Sequence, residues 1–296
     1  MTLALPAPRG LIPAAVVSSR PLSWVNTAYP FAAAYFLTSR SLDWRLLVGT
    51  LFFLVPYNAA MYGTNDVFDY ESDLRNPRKG GAEGGVLDPS LHRATLWLVW
   101  GSCVPFVGPL VLGGSPGSWA ALAVSLFAVA AYSVPVLRFK ERPVLDSLTS
   151  STHFVSPAVY GLALAGARPS AGVLAALGAF FAWGVASHAF GAVQDIVPDR
   201  EARIASVATL FGARATVRFA VVCYLAAGAL LLLGSEGLGR WAGLLVLPYA
   251  ANAAPFLKVS DAESGRARAG WRRFLWLNYL TGFLVTLILI AIGLGL

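Results

Sequence analysis

Charge is what this chain has least of. Asp, Glu, Lys and Arg make up 12% of its 296 residues, about half the roughly 25% of a soluble domain. A surface that avoids charge on this scale faces lipid, which excludes a soluble globular protein. Only two cysteines are present, Cys103 and Cys223. Both fall inside apolar runs, so they read as small core residues and not as a disulfide or a metal pair. No connection between apolar runs is long enough for a separate soluble domain. The basic residues are dispersed over short loops, which leaves no footprint for nucleic acid. The opening "MTLALPAPRGLIPAAVVSS" has two early prolines and no cleavage pattern. Residues 1–20 therefore read as a short tail and not a signal peptide.

What remains is overwhelmingly apolar, with 57% hydrophobic residues. Nine apolar segments are expected, at roughly 22–38, 46–63, 94–112, 119–137, 149–166, 171–193, 216–233, 239–257 and 274–295. Each is near the ~20 residues that cross a bilayer as a helix. The expected fold is an all-α polytopic membrane protein, one transmembrane domain over 1–296. With the N-terminus inside, only Arg40, Arg45, Arg168 and Arg240 of the 22 basic residues fall outside, and the other 18 fall inside. The positive-inside rule thus predicts a cytoplasmic N-terminus, nine spans and an outer C-terminus in the cell membrane. The net charge of +7 is first a topology signal, and second a basic face toward anionic lipid or a phosphorylated substrate.

Against this background the run "NDVFDYESD" at 65–73 stands out. If the second span continues as a helix, Asn65, Asp66, Asp69 and Asp73 lie within one stripe about 100° wide, while Glu71 faces the other way. Asn58 and Tyr62 extend the stripe deeper. A charged loop after a membrane helix is ordinarily solvated surface, but a surface loop has no need of that alignment. A second group, "QDIVPD", follows the sixth run and places Asp195 and Asp199 four apart, with Pro198 between them. Both groups fall at cytoplasmic ends of spans in the predicted topology. The pairs Asn65-Asp66 and Gln194-Asp195, 129 residues apart, hint at an old duplication.

Carboxylates that converge need a cation between them. Oxygen donors without His or Cys suit Mg²⁺ or Mn²⁺, and Mg²⁺ completes its shell with waters and phosphate oxygens. Basic residues lie on the same side: Arg138, Lys140 and Arg142 in "YSVPVLRFKERPVLDS", and Arg75, Arg78 and Lys79 after the first group. These would hold phosphate charge, with 75–81 as the start of a cationic cover. The chemistry that fits is departure of a diphosphate from a lipid-soluble substrate. His188 lies about two turns deeper than Asp195 on the same face. Tyr62, Tyr132 and Phe190 offer ring faces to a carbocation.

"NDVFDYESD" and "QDIVPD", with "YSVPVLRFKERP" and "SVATLFG", resemble the paired aspartate motifs of the UbiA superfamily of intramembrane prenyltransferases. The resemblance covers nearly the whole chain, and the stretches "SRPLSWVNTAYPFAAAY" and "NDVFDYESDLRNPRKGGAEG" look most like its lycopene elongase branch. It implies about nine helices bundled around a central cavity. It implies that Asn65, Asp66, Asp69, Asp73, Asp195 and Asp199 hold Mg²⁺, and that Lys140, Arg138, Arg142, Arg75, Arg78 and Lys79 hold diphosphate. Asn58, Tyr62, Tyr132 and His188 would line the substrate cavity. The implied reaction passes a dimethylallyl group from its diphosphate, through an allylic cation, to an acyclic carotenoid such as lycopene, giving C45 and C50 products. Pro198 and the short "DREAR" continuation depart from relatives that carry a further acidic residue there. The alternative keeps the chemistry but uses an aromatic quinone precursor, with Arg20 as a clamp for its acid group. A transporter is disfavoured, because the acids sit at helix ends and a transport site belongs near the bilayer midplane.

Overall fold

The computed structural model describes residues 10–74 and 86–296, with the backbone alone at 72 and 73. Among the described residues it is helical and contains no strand. Long apolar runs require this, since a helix in lipid satisfies its own backbone groups. The chain packs as two compact units: Met1–Arg138 with His153–Ala167, and Phe139–Thr152 with Arg168–Leu296.

The first unit holds α1 (Leu11–Ser18), α2 (Val25–Ser39), α3 (Trp44–Leu54), α4 (Pro56–Phe68), α5 (Tyr70–Asp73), α6 (His92–Gly101), α7 (Val104–Leu112) and α8 (Pro116–Ser133). The helix α9 (Leu145–Leu164) begins in the second unit and ends in the first. The second unit continues with α10 (Ala171–Val193), α11 (Ile196–Glu201), α12 (Val207–Gly234), α13 (Leu247–Ala253) and α14 (Arg268–Leu294).

Six stretches among the described residues are long and apolar enough to cross a membrane: Trp44–Phe68, Pro89–Leu112, Pro116–Ser133, Ala171–Val193, Val207–Gly234 and Asp261–Leu294. The other three expected spans take different forms. Helix α2 has 15 residues, and α9 is long enough but rich in Ser and Thr. The 239–257 segment is a 3₁₀ run, Gly237–Val246, followed by the short α13. Large apolar side chains face outward, with Leu112, Leu233 and Trp276 keeping 89%, 85% and 76% of their surface. Burying them in lipid replaces burying them in protein.

Local chemistry sets the helix ends. Ser115 and Ser206 open α8 and α12 with reciprocal capping boxes to Ser118 and Thr209, which satisfy orphan N–H groups. Asp43 opens α3 by accepting from the N–H groups of Arg45 and Leu46, and its other oxygen accepts from the Tyr35 hydroxyl at 2.8 Å. Burial pushes the Asp43 carboxyl up, but the Tyr35 and backbone hydrogen bonds and the Arg45 charge outweigh it and hold it below its ordinary value. Helix α12 is interrupted at Gly212, whose φ of 79° favours glycine. The helix restarts at Ala213, whose N–H is taken by Asp261 at 2.7 Å.

Each unit has an aromatic core. Phe31, Phe53, Tyr57 and Tyr160 interlock in the first, all 0% exposed. In the second, Trp183, Tyr224, Tyr249 and Phe274 do the same.

Candidate active site

The first acidic motif does not ride on one continuous helix, as the stripe assumed. Helix α4 stops at Phe68, and Asp69 occupies the junction with φ −98° and ψ 2° before the single turn of α5. The backbone bond from Asp69 N–H to Asn65 C=O is still made, at 2.9 Å, so the turn of the stripe from Asn65 to Asp69 is preserved. The second motif has the same construction. Helix α10 ends, Asp195 sits at the junction with φ −101° and ψ 2°, and the short α11 follows. Asp199 N–H bonds back to Asp195 C=O at 2.8 Å. The matching residues of the two units are therefore Asp69 and Asp195, 126 positions apart. This shifts the repeat register by three from the amide–acid pairing. Asp73 and Asp199 each follow four residues later.

In the first unit, Asp69 keeps 13% side-chain exposure and lies 3.8 Å from the Arg138 guanidinium. Arg138 reaches it from a left-handed backbone position, φ 44°, just after α8. Asn65 accepts a hydrogen bond from the Ser133 hydroxyl at 3.2 Å, which leaves its amide oxygen a second lone pair. Glu71 is exposed. The side chain of Asp73, and all of Arg75, Arg78 and Lys79 with the cover expected there, lie outside the described residues.

Asp66 departs from the expected ligand role. It is 1% exposed and takes the Ser18 hydroxyl on one oxygen at 2.9 Å and Arg20 on the other at 3.2 Å. Arg20 also lies 4.2 Å over the ring of Tyr62. That ring face already carries a cation. Residues 11–20 are correspondingly no loose tail. Helix α1 buries Ala14 beside Val67 and Leu87, and its exit holds Asp66.

Asn58 is likewise not a cavity residue. It is 0% exposed and donates to Thr27 Oγ1 at 2.7 Å and to the Phe53 and Leu54 carbonyls. It thereby fastens the α3–α4 kink, where Pro56 supplies no N–H. Phe190 is 1% exposed and packs on Phe256, so it is core. Tyr132 is half-buried at the end of α8, edge-on to His153.

In the second unit, Lys140 lies in the single turn Phe139–Glu141, and the Arg142 guanidinium stands 5.6 Å from the Phe139 ring. Asp195 and Asp199 are both half-buried. His188 lies deep in the unit yet is not fully buried, and its Nδ1 is 3.0 Å from the Ser147 hydroxyl. Arg200 is engaged by Asp261 at 2.8 Å and by the Thr209 carbonyl at 3.0 Å.

Sequence reading missed Asp146. It is 0% exposed, and it accepts from the N–H groups of Ser147 and Val207, both at 2.7 Å. It ties the turn that carries Lys140 and Arg142 to the start of α12. An acid three residues after Pro143, at the head of a Ser-rich helix, is the only signal that could have marked it.

All donors at the two junctions are hard oxygens, which fits Mg²⁺. Among the described residues no three acidic, His or Cys side chains stand close enough to hold an ion by themselves.

Comparison with known proteins agrees with this architecture. The chain is 56% identical over 285 residues to the C(50) beta-cyclic carotenoids biosynthesis protein LbtBC of Dietzia sp. (strain CQ4). That match covers 96% of this chain and 66% of the Dietzia protein, just under two thirds of it. The chain is 52% identical over 277 residues to a lycopene elongase/hydratase of Corynebacterium glutamicum, covering 94% and 96% of the two chains. A UbiA homolog from Archaeoglobus fulgidus, solved bound to DMAPP and Mg²⁺, superposes with a TM-score of 0.66 at 18% identity. That match covers 90% of this chain and 98% of the archaeal one, and shows the shared fold. Residues 27–279 match the UbiA prenyltransferase family: the chain belongs to that family and is a membrane prenyltransferase.

Proposed function

We propose that this enzyme transfers a dimethylallyl group from its diphosphate to the end of an acyclic carotenoid such as lycopene, with Mg²⁺ as cofactor. Asn65, Asp69, Asp73, Asp195 and Asp199 hold the metal, and Arg138, Lys140 and Arg142 hold the diphosphate, joined by Arg75, Arg78 and Lys79. When bound, Mg²⁺ neutralises the departing diphosphate and so lowers the barrier to C–O cleavage. Arg138, beside Asp69, takes phosphate oxygens as charge develops on them. The allylic C–O bond breaks with its electron pair on diphosphate, and the terminal double bond of the acceptor forms the new C–C bond. The apolar spans exclude water from the cation. Nine spans, with the N-terminus and both acidic motifs cytoplasmic in the plasma membrane, remain the proposed topology.

The observation that carries the acceptor assignment is the engagement of Arg20. An aromatic acid needs a cation to hold its carboxylate, and Arg20, a candidate for that duty, is already paired with buried Asp66 and laid on Tyr62. A hydrocarbon acceptor needs none. The names of the Dietzia and Corynebacterium relatives support the same choice.

Expression in a lycopene-accumulating host should convert lycopene to C45 and C50 carotenoids, read by chromatography and mass spectrometry. Asp69→Ala and Asp195→Ala should abolish conversion while the protein stays in the membrane at its normal level. Unchanged lycopene with the wild-type protein in the membrane would overturn the acceptor. Substantial turnover by either variant would overturn the metal assignment.

A further inference from the structure

A groove of about 400 Å³ lies between α13 and α14, lined by Pro248, Asn252, Arg273, Trp276 and Leu277. It is far in sequence from both aspartate junctions. Its composition is mixed in a particular order. Arg273 is exposed and makes no ion pair among the described residues. Trp276, one turn further along α14, keeps 76% of its surface exposed, and Leu277 and Pro248 supply apolar wall. Asn252 donates to the Gly270 carbonyl at 2.9 Å, but its side-chain oxygen is buried without a hydrogen-bond partner. A buried acceptor left unpaired is costly, so a donor delivered into the groove is favoured.

The surroundings say what kind of molecule arrives. Arg268, Arg272 and Arg273 stand exposed at the start of α14, followed by exposed Trp276 and Tyr279 and then by exposed Leu280 and Phe283. Cation, aromatic ring and aliphatic side chain in that sequence trace the passage from headgroup level into hydrocarbon. A ligand that fits has a phosphate at the Arg273 end, a hydroxyl for Asn252, and an acyl chain for Leu277, Pro248 and the outer face of α14.

We propose that this groove binds an anionic glycerophospholipid by its headgroup, with Arg273 taking the phosphate and the Asn252 oxygen accepting from a headgroup hydroxyl. Phosphatidylglycerol carries both groups. The net positive charge of this end selects it over a zwitterionic lipid, and the short reach of Asn252 selects a hydroxylated headgroup. Such a lipid would brace α13, a helix of seven residues, against α14.

The test uses the full-length protein in nanodiscs of mixed phosphatidylglycerol and phosphatidylcholine, extracted into mild detergent and weighed by native mass spectrometry. Wild type should retain one phosphatidylglycerol in preference to phosphatidylcholine. Arg273→Gln should lower that retention by about tenfold, the loss expected for one charge-assisted phosphate contact, whereas Arg272→Gln, outside the groove, should not. Asn252→Leu should erase the preference for phosphatidylglycerol over phosphatidic acid. Bromine-labelled phosphatidylglycerol should quench Trp276 emission, with Trp276→Phe as reference. Equal losses in the two arginine variants, equal retention of phosphatidylcholine, or displacement of the lipid by excess inorganic phosphate would each overturn the proposal.

Discussion

Asp146 gives the sharpest single perturbation. Its carboxylate is wholly buried and accepts two backbone N–H groups at 2.7 Å, one from its own turn and one from Val207, 61 residues on. In Asp146→Ala both donors lose their acceptor inside the protein. At about 1–3 kcal/mol for each buried unsatisfied group, the loss is about 2–6 kcal/mol. Asp146→Asn retains one acceptor and points an N–H₂ group at the other donor, so roughly half that loss is expected. Ser206→Ala removes only the other cap of α12 and should cost about 1 kcal/mol. The melting temperature of the detergent-solubilised enzyme should therefore fall most in Asp146→Ala, less in Asp146→Asn and least in Ser206→Ala. The turn held by Asp146 also carries Lys140 and Arg142, so Asp146→Asn should raise KM for the prenyl diphosphate more than it lowers kcat. An Asp146→Asn variant that melts and binds diphosphate like wild type would refute the anchoring role.

Arg20→Ala removes a guanidinium from the Asp66 carboxylate, which is 0% exposed at its side chain and keeps the Ser18 hydroxyl. Breaking such a buried pair costs about 3–5 kcal/mol, so thermal stability should drop sharply, and Arg20→Ala with Asp66→Asn should recover much of it in a double-mutant cycle. Gly212→Ala forces a side chain onto φ 79° and within 3.0 Å of the Asp261 carboxylate. About 2 kcal/mol of destabilisation is expected, with little change in an exposed control such as Gly265→Ala. Asp43 titrates below its ordinary value when folded. Its contribution is therefore fully present above the unfolded value of about 3.9 and is lost as pH falls through the folded one. A melting-temperature profile taken down through that range should lose part of its acid slope in Asp43→Asn.

The hydrophobic pattern made the membrane class and most spans legible, because lipid imposes the same length and apolarity on every crossing helix. It could not foresee the 3₁₀ run at 237–246. There, Gly228 and Gly243 let two backbones touch, so that a Cβ on Gly243 would lie 2.5 Å from the Gly228 carbonyl. The polar motifs were legible as clusters, and the helical turn that periodicity assumed from Asn65 to Asp69 is present. It failed at Asp66, since a helical wheel knows angle but not partner, and the partner stands 46 residues upstream. The break at Asp69 was hidden because no Gly or Pro marks it, whereas Pro198, three residues after Asp195, signalled that the helix bends or restarts there. Asp146 was invisible because its role exists only once Val207 is beside it.

Helix α9 has a consequence for how the protein is made. Its first eight residues belong to the unit completed by Leu296, whereas the rest belongs to the unit that starts the chain. During synthesis, which proceeds from the N-terminus and lets early units fold first, the first unit waits for Ala167 before it can close. By then the ribosome has already delivered residues 139–152, whose partners in the second unit emerge only afterwards: Phe181 for Ser151, His188 for Ser147 and Val207 for Asp146. The turn bearing Lys140 and Arg142 is thus threaded early and locked late, so a stalled or truncated chain would contain a finished first unit and no competent diphosphate clamp.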